Sequence, residues 1–257
     1  MLNPSAGSSQ LALDLKNVSK SYGETRALTA LDLQCKPGTV HTIFGENGSG
    51  KSTLVKVLSG IIAPDQGEVW INGVRAQNFS PGGMRRLGIA AVLQEVLVAP
   101  NQSALQNVFL GYDGLFTRRI GRQERIKVAR DILARLSKTP IPLEQLVEKL
   151  PLQQQQIVVI ARALVRDPRI LILDEASGTL DIEDRETLFK TVREFVARGR
   201  LVIFISHRID EVLEISDAVT VLRNGKLVTT VPCAGLTAKA LLSLILPDTV
   251  SVESLHV

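Results

Sequence analysis

The stretch GENGSGKST, Gly45 to Thr53, sets a glycine, four residues and then Gly-Lys-Ser in a row, with apolar VHTIF before it and helix-forming sequence after it. That order and context predict a loop that cradles phosphate. Its glycines let the backbone curl so that successive amides point inward at phosphate oxygens, and the helix opening near Lys51 adds its positive end. The expected contact set is the whole loop: Gly45, Glu46, Asn47, Gly48, Ser49, Gly50, Lys51, Ser52 and Thr53. Lys51 reaches the beta and gamma phosphates, and the Ser52 hydroxyl ligates magnesium, which bridges phosphate oxygens and offsets their charge. The ligand expected is ATP with Mg2+. An ordinary glycine-rich turn is the competing reading, and the flanking strand and helix argue against it.

RILILDEAS ends another apolar run in two adjacent carboxylates. In open parallel sheets the strand ends are where ligands bind. Asp174 is a candidate magnesium ligand, directly or through a bound water, and Glu175 can orient and polarise an attacking water. Acids at strand ends also cap helices, so the upstream loop is what favours the chemical role. LVIFISHRIDEV places His207 beyond a third apolar run, where an imidazole can bond the gamma phosphate and hold Glu175. An isolated histidine is more often structural. Gln94, in AAVLQEV, is an uncharged group able to touch both magnesium and water, with a plain surface glutamine as the alternative.

These residues need a scaffold. VHTIF, ILIL and LVIFI are short runs rich in branched residues, as expected of parallel strands buried on both faces. Each leads into a helical segment, at Ser52 to Gly60, Asp184 to Arg198 and Ile209 to Ile215. Between Leu11 and Gln34, and again in GEVWING from Gly67 to Gly73, polar and apolar residues alternate, which predicts an antiparallel layer. From about Ala99 to Val165 the sequence turns helical, with an amphipathic stretch from Gln123 to Leu136 and breaks at Pro140, Pro142 and Pro151. The expected division is a tail over 1–10 and a domain over 11–257, with its core in 11–98 and 166–257 and a helical insert over 99–165.

The 257 residues are 45% hydrophobic and 22% charged, with a net charge of +4. Such a chain buries a sizeable core, and its charge offers no nucleic-acid surface. Cys35 and Cys233 lack metal or redox spacing and read as buried thiols of a reducing compartment. No apolar run approaches the about 20 residues needed to cross a bilayer.

Taken in order, Tyr22, the Gly45 to Thr53 loop, Gln94, LPLQQQQIVVIARAL, ILILDEASGTLD and His207 resemble the nucleotide-binding domain of ATP-binding cassette proteins. QQQQIVVIARAL, FISHRIDEV and TVLRNGKLV look most like the first cassette of importers for ribose, galactose and xylose. The resemblance implies an α/β P-loop fold, a mixed parallel sheet with an antiparallel layer and a helical subdomain, and ATPase activity. It implies that Tyr22 stacks on adenine, with a core tyrosine as the alternative. It also implies a head-to-tail dimer in which a second cassette's signature segment completes the site, with Asp181 in the loop that communicates across that interface. The other implied partners are transmembrane permease subunits and, indirectly, an extracytoplasmic solute-binding protein, which places the chain on the cytoplasmic face of the inner membrane.

One departure stands out. The family's Leu-Ser-Gly-Gly-Gln signature is replaced by Leu150, Pro151, Leu152, Gln153 and Gln154. Proline suits a first helical turn but brings neither a hydroxyl nor an amide hydrogen, and Gln153 adds bulk where backbone should approach the partner's phosphate. Ala176 stands where the family has proline, a lesser change that puts only local rigidity in doubt. The alternatives to a transport ATPase are a regulatory cassette that binds ATP and scarcely hydrolyses it, and a soluble cassette of repair or translation.

Overall fold

VHTIF, ILILD and LVIFI carry no polar alternation, so they can satisfy a strand only where both faces are covered. In the computed structural model they form β3 (Val40–Phe44), β7 (Ile170–Asp174) and β8 (Leu201–Ile205), every residue of which is buried. The structure describes residues 11–112 and 120–245. The expected tail and the end of the expected domain at 246–257 therefore lie outside the described residues.

The remaining strands are β1 (Leu13–Tyr22), β2 (Thr25–Cys35), β4 (Gln66–Ile71), β5 (Val74–Arg75), β6 (Ile89–Val92), β9 (Ala218–Arg223) and β10 (Lys226–Pro232). They assemble into two sheets. One is antiparallel with order β2-β1-β4-β5, and the other has order β10-β9-β3-β8-β7-β6. In the second sheet β9, β3, β8, β7 and β6 run parallel, and β10 pairs antiparallel at the edge. The fold is thus the mixed parallel sheet with an antiparallel layer that the sequence implies. The β9–β10 hairpin was not expected as such, although Asn224-Gly225 between alternating strands is its turn signal.

The helices are α1 (Lys51–Leu58), α2 (Pro81–Arg86), α3 (Ala104–Val108), α4 (Arg122–Ala134), α5 (Leu152–Leu164), α6 (Ile182–Val196), α7 (Ile209–Ile215) and α8 (Ala238–Ile245). Four of them, α1, α4, α6 and α7, match the expected helical stretches to within two residues at either end, as the usual fraying of helix ends allows. α6 begins two residues early because Asp181 caps it, accepting the Asp184 amide at 2.8 Å. Between β6 and β7 lie α3, α4 and α5. α3 opens on a reciprocal cap, with Ser103 Oγ accepting the Gln106 amide and Gln106 Oε1 accepting the Ser103 amide. These helices share one apolar cluster with the sheet: Val108, Leu133, Ile157 and Ile160 pack with Leu171, Leu173 and Phe204. A second cluster lies between the two sheets, joining Leu15, Leu31 and Val69 to Ile172 and Ile203 through α1. Strand ends and the loop after β3 are thereby held from both sides.

His41 on β3 is buried, with Nε2 at 2.7 Å from Thr220 Oγ1. Burial pushes its pKa down from 6.5 to about 4. In the unfolded chain the ring takes a proton as pH falls through 6.5, and the folded chain refuses it until about pH 4, so stability is lost on acidification across that window. The contribution is roughly 2 to 4 kcal/mol. In His41→Leu the melting temperature is expected to fall less between pH 6.5 and 4 than in the parent, because leucine binds no proton in either state, while Thr220 keeps its bond to Thr230 Oγ1.

Candidate functional site

The loop from Gly45 to Thr53 joins the end of β3 to α1. Gly45 and Gly50 have φ of 158° and 108°. A Cβ on Gly45 would fall 2.3 Å from the Leu222 carbonyl oxygen, and one on Gly50 would fall 2.6 Å from that of Ala27. Both positions therefore demand glycine by space as well as by backbone conformation. The loop is wedged between the two sheets. Gly225, in the β9–β10 turn, donates its amide to the Ser49 carbonyl at 3.0 Å and accepts the Thr29 amide from β2 at 2.8 Å.

α1 opens at Gly50 with no side-chain cap, so its first-turn amides keep their donors for a ligand. Lys51 is buried and folds back over the loop, donating to the carbonyls of Gly45 at 2.7 Å and Glu46 at 2.8 Å. Burial lowers its pKa, while Glu175, Asp174 and Glu46 pull it back up. Ser52 is exposed and Thr53 half-buried. Glu46, Asn47 and Gly48 are exposed at the loop's crest, and Ser49 is buried beneath it.

Asp174 ends β7 with its carboxylate nearly buried. Burial raises its pKa to about 6, the charge of Glu175 adds to that, and Lys51 opposes it. This under-compensated carboxylate, with the Ser52 hydroxyl and the Gln94 amide, is a set of hard oxygen donors that suits Mg2+. Glu175 sits at φ 51°, a strained backbone for a side chain with a Cβ, and its amide donates to the Ile205 carbonyl at 2.9 Å. Its carboxylate is gripped on both oxygens. Gln94 Nε2 donates to Oε2 at 3.1 Å, and His207 Nδ1 lies 3.2 Å from Oε1. Three loops, after β6, β7 and β8, so converge on one acid. Such an acid, beside a cradle of amides and an ammonium, can orient water against a phosphate.

Tyr22 stands apart from that group. It ends β1, opposite Thr25, with 46% of its surface exposed, on the hairpin whose Ala27 carbonyl lies against Gly50. Its ring is free to meet a planar ligand face-on.

Pro151 caps α5 without a side-chain bond, and Leu152 is exposed. The Gln153 side chain turns back onto its own chain. Its Nε2 donates to Asp181 Oδ2 at 2.8 Å and to Asp184 Oδ2 at 2.6 Å. A carboxamide donates twice from one nitrogen, and the carboxylates of the α6 cap residue and of its first turn supply the acceptors. The sequence missed this tether, and it missed Glu211, whose buried carboxylate accepts hydroxyls from Ser177 and Ser206.

Residues 28–178, more than half of the chain, match the family described as ABC transporter. Ribose import ATP-binding protein RbsA 3 of Rubrobacter xylanophilus is 43% identical over 222 residues, covering 85% of this chain and 44% of that protein. Ribose import ATP-binding protein RbsA 1 of Burkholderia cenocepacia is 38% identical over 244 residues, covering 93% of this chain and 47% of that protein. The chain thus spans less than half the length of these relatives. A solved dimeric ATP-binding cassette, in a post-hydrolysis state bound to ADP and Pi, superposes with a TM-score of 0.79 at 27% identity, over 87% of this chain and 100% of that one. With a family model matched over more than half of its length, across the phosphate loop and the Asp174-Glu175 strand end, the chain belongs to the ABC transporter family.

Proposed function

We propose that the chain is an ATP-binding and ATP-hydrolysing subunit that energises import of a small solute, a sugar or related compound, through a membrane transporter. The observation that carries the reading is the double grip on Glu175 by Gln94 and His207 beside the loop that holds Lys51. In this reading the loop amides of Gly45 to Thr53 and the Lys51 ammonium bind the phosphates, and Tyr22 stacks on the base. Glu175 orients the attacking water, Gln94 and His207 hold that acid, and His207 bonds the gamma phosphate. Ser52, Gln94 and Asp174 would hold Mg2+, which offsets charge on the phosphate oxygens when bound. Sugar import is supported by the names of the relatives, which are ribose import ATP-binding proteins.

A surface groove supports the partner reading. An open groove of about 570 Å³ lies between α2, β6 and α5, lined by Ile61, Leu93, Leu97, Leu110 and Val159 with Arg162 at its rim. It adjoins Gln94, so a permease segment seated there would sense the same loop that grips Glu175. Among the described residues no helix is long and apolar enough to cross a membrane. By the names of its relatives, the reading puts the chain at the cytoplasmic face of the inner membrane, paired with a second cassette and with the helices between β6 and β7 as its coupling subdomain. Co-purification with an integral membrane protein and ATP-dependent uptake in vesicles test it. Binding to DNA or ribosomes in place of a membrane partner overturns it.

Pro151 and Gln153 favour a second reading, a cassette that pairs with ATP and hydrolyses it poorly. The signature of one cassette serves the ATP held by the other, so the defect falls on the partner's site. Pro151→Ser combined with Gln153→Gly is expected to speed hydrolysis in a homodimer by about tenfold to a hundredfold, the worth of one regained bond to a charged phosphate. Equal phosphate-release rates before and after the repair would remove this asymmetry.

A further inference from the structure

Glu211, in the first turn of α7, is wholly buried, where a carboxylate is costly unless donors meet it. It is held by donors from two loops. Its Oε2 accepts the Ser177 hydroxyl at 2.8 Å and the Ser206 hydroxyl at 2.7 Å, and Arg208 approaches Oε1 to 3.3 Å as an ion pair. Ser206 Oγ in turn accepts the Arg208 amide at 3.1 Å. Ser177 lies two residues beyond Glu175, and Ser206 immediately precedes His207. The turn carrying Glu175 is also pinned by its own amide to Ile205 and by Gln156 Nε2, which donates to the Ala176 carbonyl at 3.2 Å.

Those last two bonds hold backbone. Glu211 does something different, because one of its oxygens ties a side chain of the Glu175 turn to a side chain of the His207 turn. Drawing Ser177 and Ser206 onto the same atom sets how far apart the two turns stand. The reach from Glu175 Oε1 to His207 Nδ1, 3.2 Å, then follows from the span of that clamp. Without it, Glu175 at its left-handed φ of 51° has a lower-energy backbone to relax into, and the acid would drift from its two partners.

We propose that Glu211 is a positioning residue for hydrolysis, fixing Glu175 and His207 against each other through Ser177 and Ser206. The proposal rests on the ATPase reading above. It predicts a split between binding and turnover, since none of the three clamp groups, Glu211, Ser177 and Ser206, belongs to the loop that holds the phosphates.

The test measures Mg-ATP affinity by calorimetry and phosphate release for the chain in its assembled transporter, comparing Glu211→Met, Ser206→Ala and Ser206→Thr with the parent. Methionine keeps the length of the side chain and removes the oxygen that both hydroxyls share. Glu211→Met and Ser206→Ala are expected to lower kcat by about ten- to a hundredfold with KM and affinity within about twofold, the signature of lost alignment. Ser206→Thr keeps the hydroxyl and is expected to keep turnover. Combining Ser206→Ala with Glu211→Met should cost no more than Glu211→Met alone, because both break one clamp. Should Glu211→Met fail to fold, the Ser206 pair carries the comparison. Unchanged kcat in Glu211→Met or Ser206→Ala overturns the proposal, as does a loss of affinity and melting temperature in proportion to kcat. Absence of any Mg-ATP heat or turnover in the parent overturns the ATPase reading and this inference with it, whereas an active parent with indifferent variants overturns this inference alone.

Discussion

Replacing Lys51 with alanine is expected to cut ATP turnover at least about a hundredfold and to weaken Mg-ATP binding by about ten- to a hundredfold. The ammonium is buried against the loop, where two backbone carbonyls already orient it and where Glu175, Asp174 and Glu46 favour its charge. Phosphate oxygens arriving over the loop meet a cation that needs little reorganisation, which is the condition under which a charge contributes most. Alanine removes that charge and leaves Asp174, already raised to about pKa 6, without the cation that holds it down. Calorimetry with Mg-ATP, phosphate release and a melting curve on the same preparation check it. A folded variant that binds and turns over as the parent does would end the interpretation of the loop.

The second large effect is expected at Glu175. Glu175→Gln keeps the shape of the side chain and a partner for Gln94, but it removes the acceptor that polarises water. Turnover is expected to fall by about a hundredfold to ten-thousandfold while Mg-ATP affinity stays within about threefold. A variant of this kind should accumulate as an ATP-bound pair, seen as a shift in size by chromatography. A parent whose turnover is already as slow as the variant's would instead support the cassette that binds and scarcely hydrolyses, for which Pro151 and Gln153 are the structural argument.

Legibility in the sequence tracked how local each signal was. VHTIF, ILILD and LVIFI announced buried parallel strands because their pattern is complete within five residues. The loop glycines announced themselves because steric demand at Gly45 and Gly50 leaves no other residue type. The β9–β10 hairpin carried a local signal in Asn224-Gly225 that was passed over. α2 was not legible, as Pro-Gly-Gly at its start argues for a turn, and only the Ser80 side chain accepting the Gly83 amide reveals the cap. Gln153 and Glu211 were hidden for a different reason. A glutamine in a run of four and an acid on a short helix both read as solvated surface, and each takes at least one partner 28 to 34 positions away, where no local pattern reaches.

Gly225 has a bearing on how the protein is made. Its amide closes the loop around Ser49 and its carbonyl anchors β2 at Thr29, so residues near the start of the chain take their final shape from a turn almost two hundred positions later. On a ribosome, where residues emerge in order and only finished segments can pair, a nascent chain would carry the whole of GENGSGKST and still lack its wall. Nucleotide-dependent protection from protease in stalled nascent chains should therefore begin only once the β9–β10 turn has left the exit tunnel.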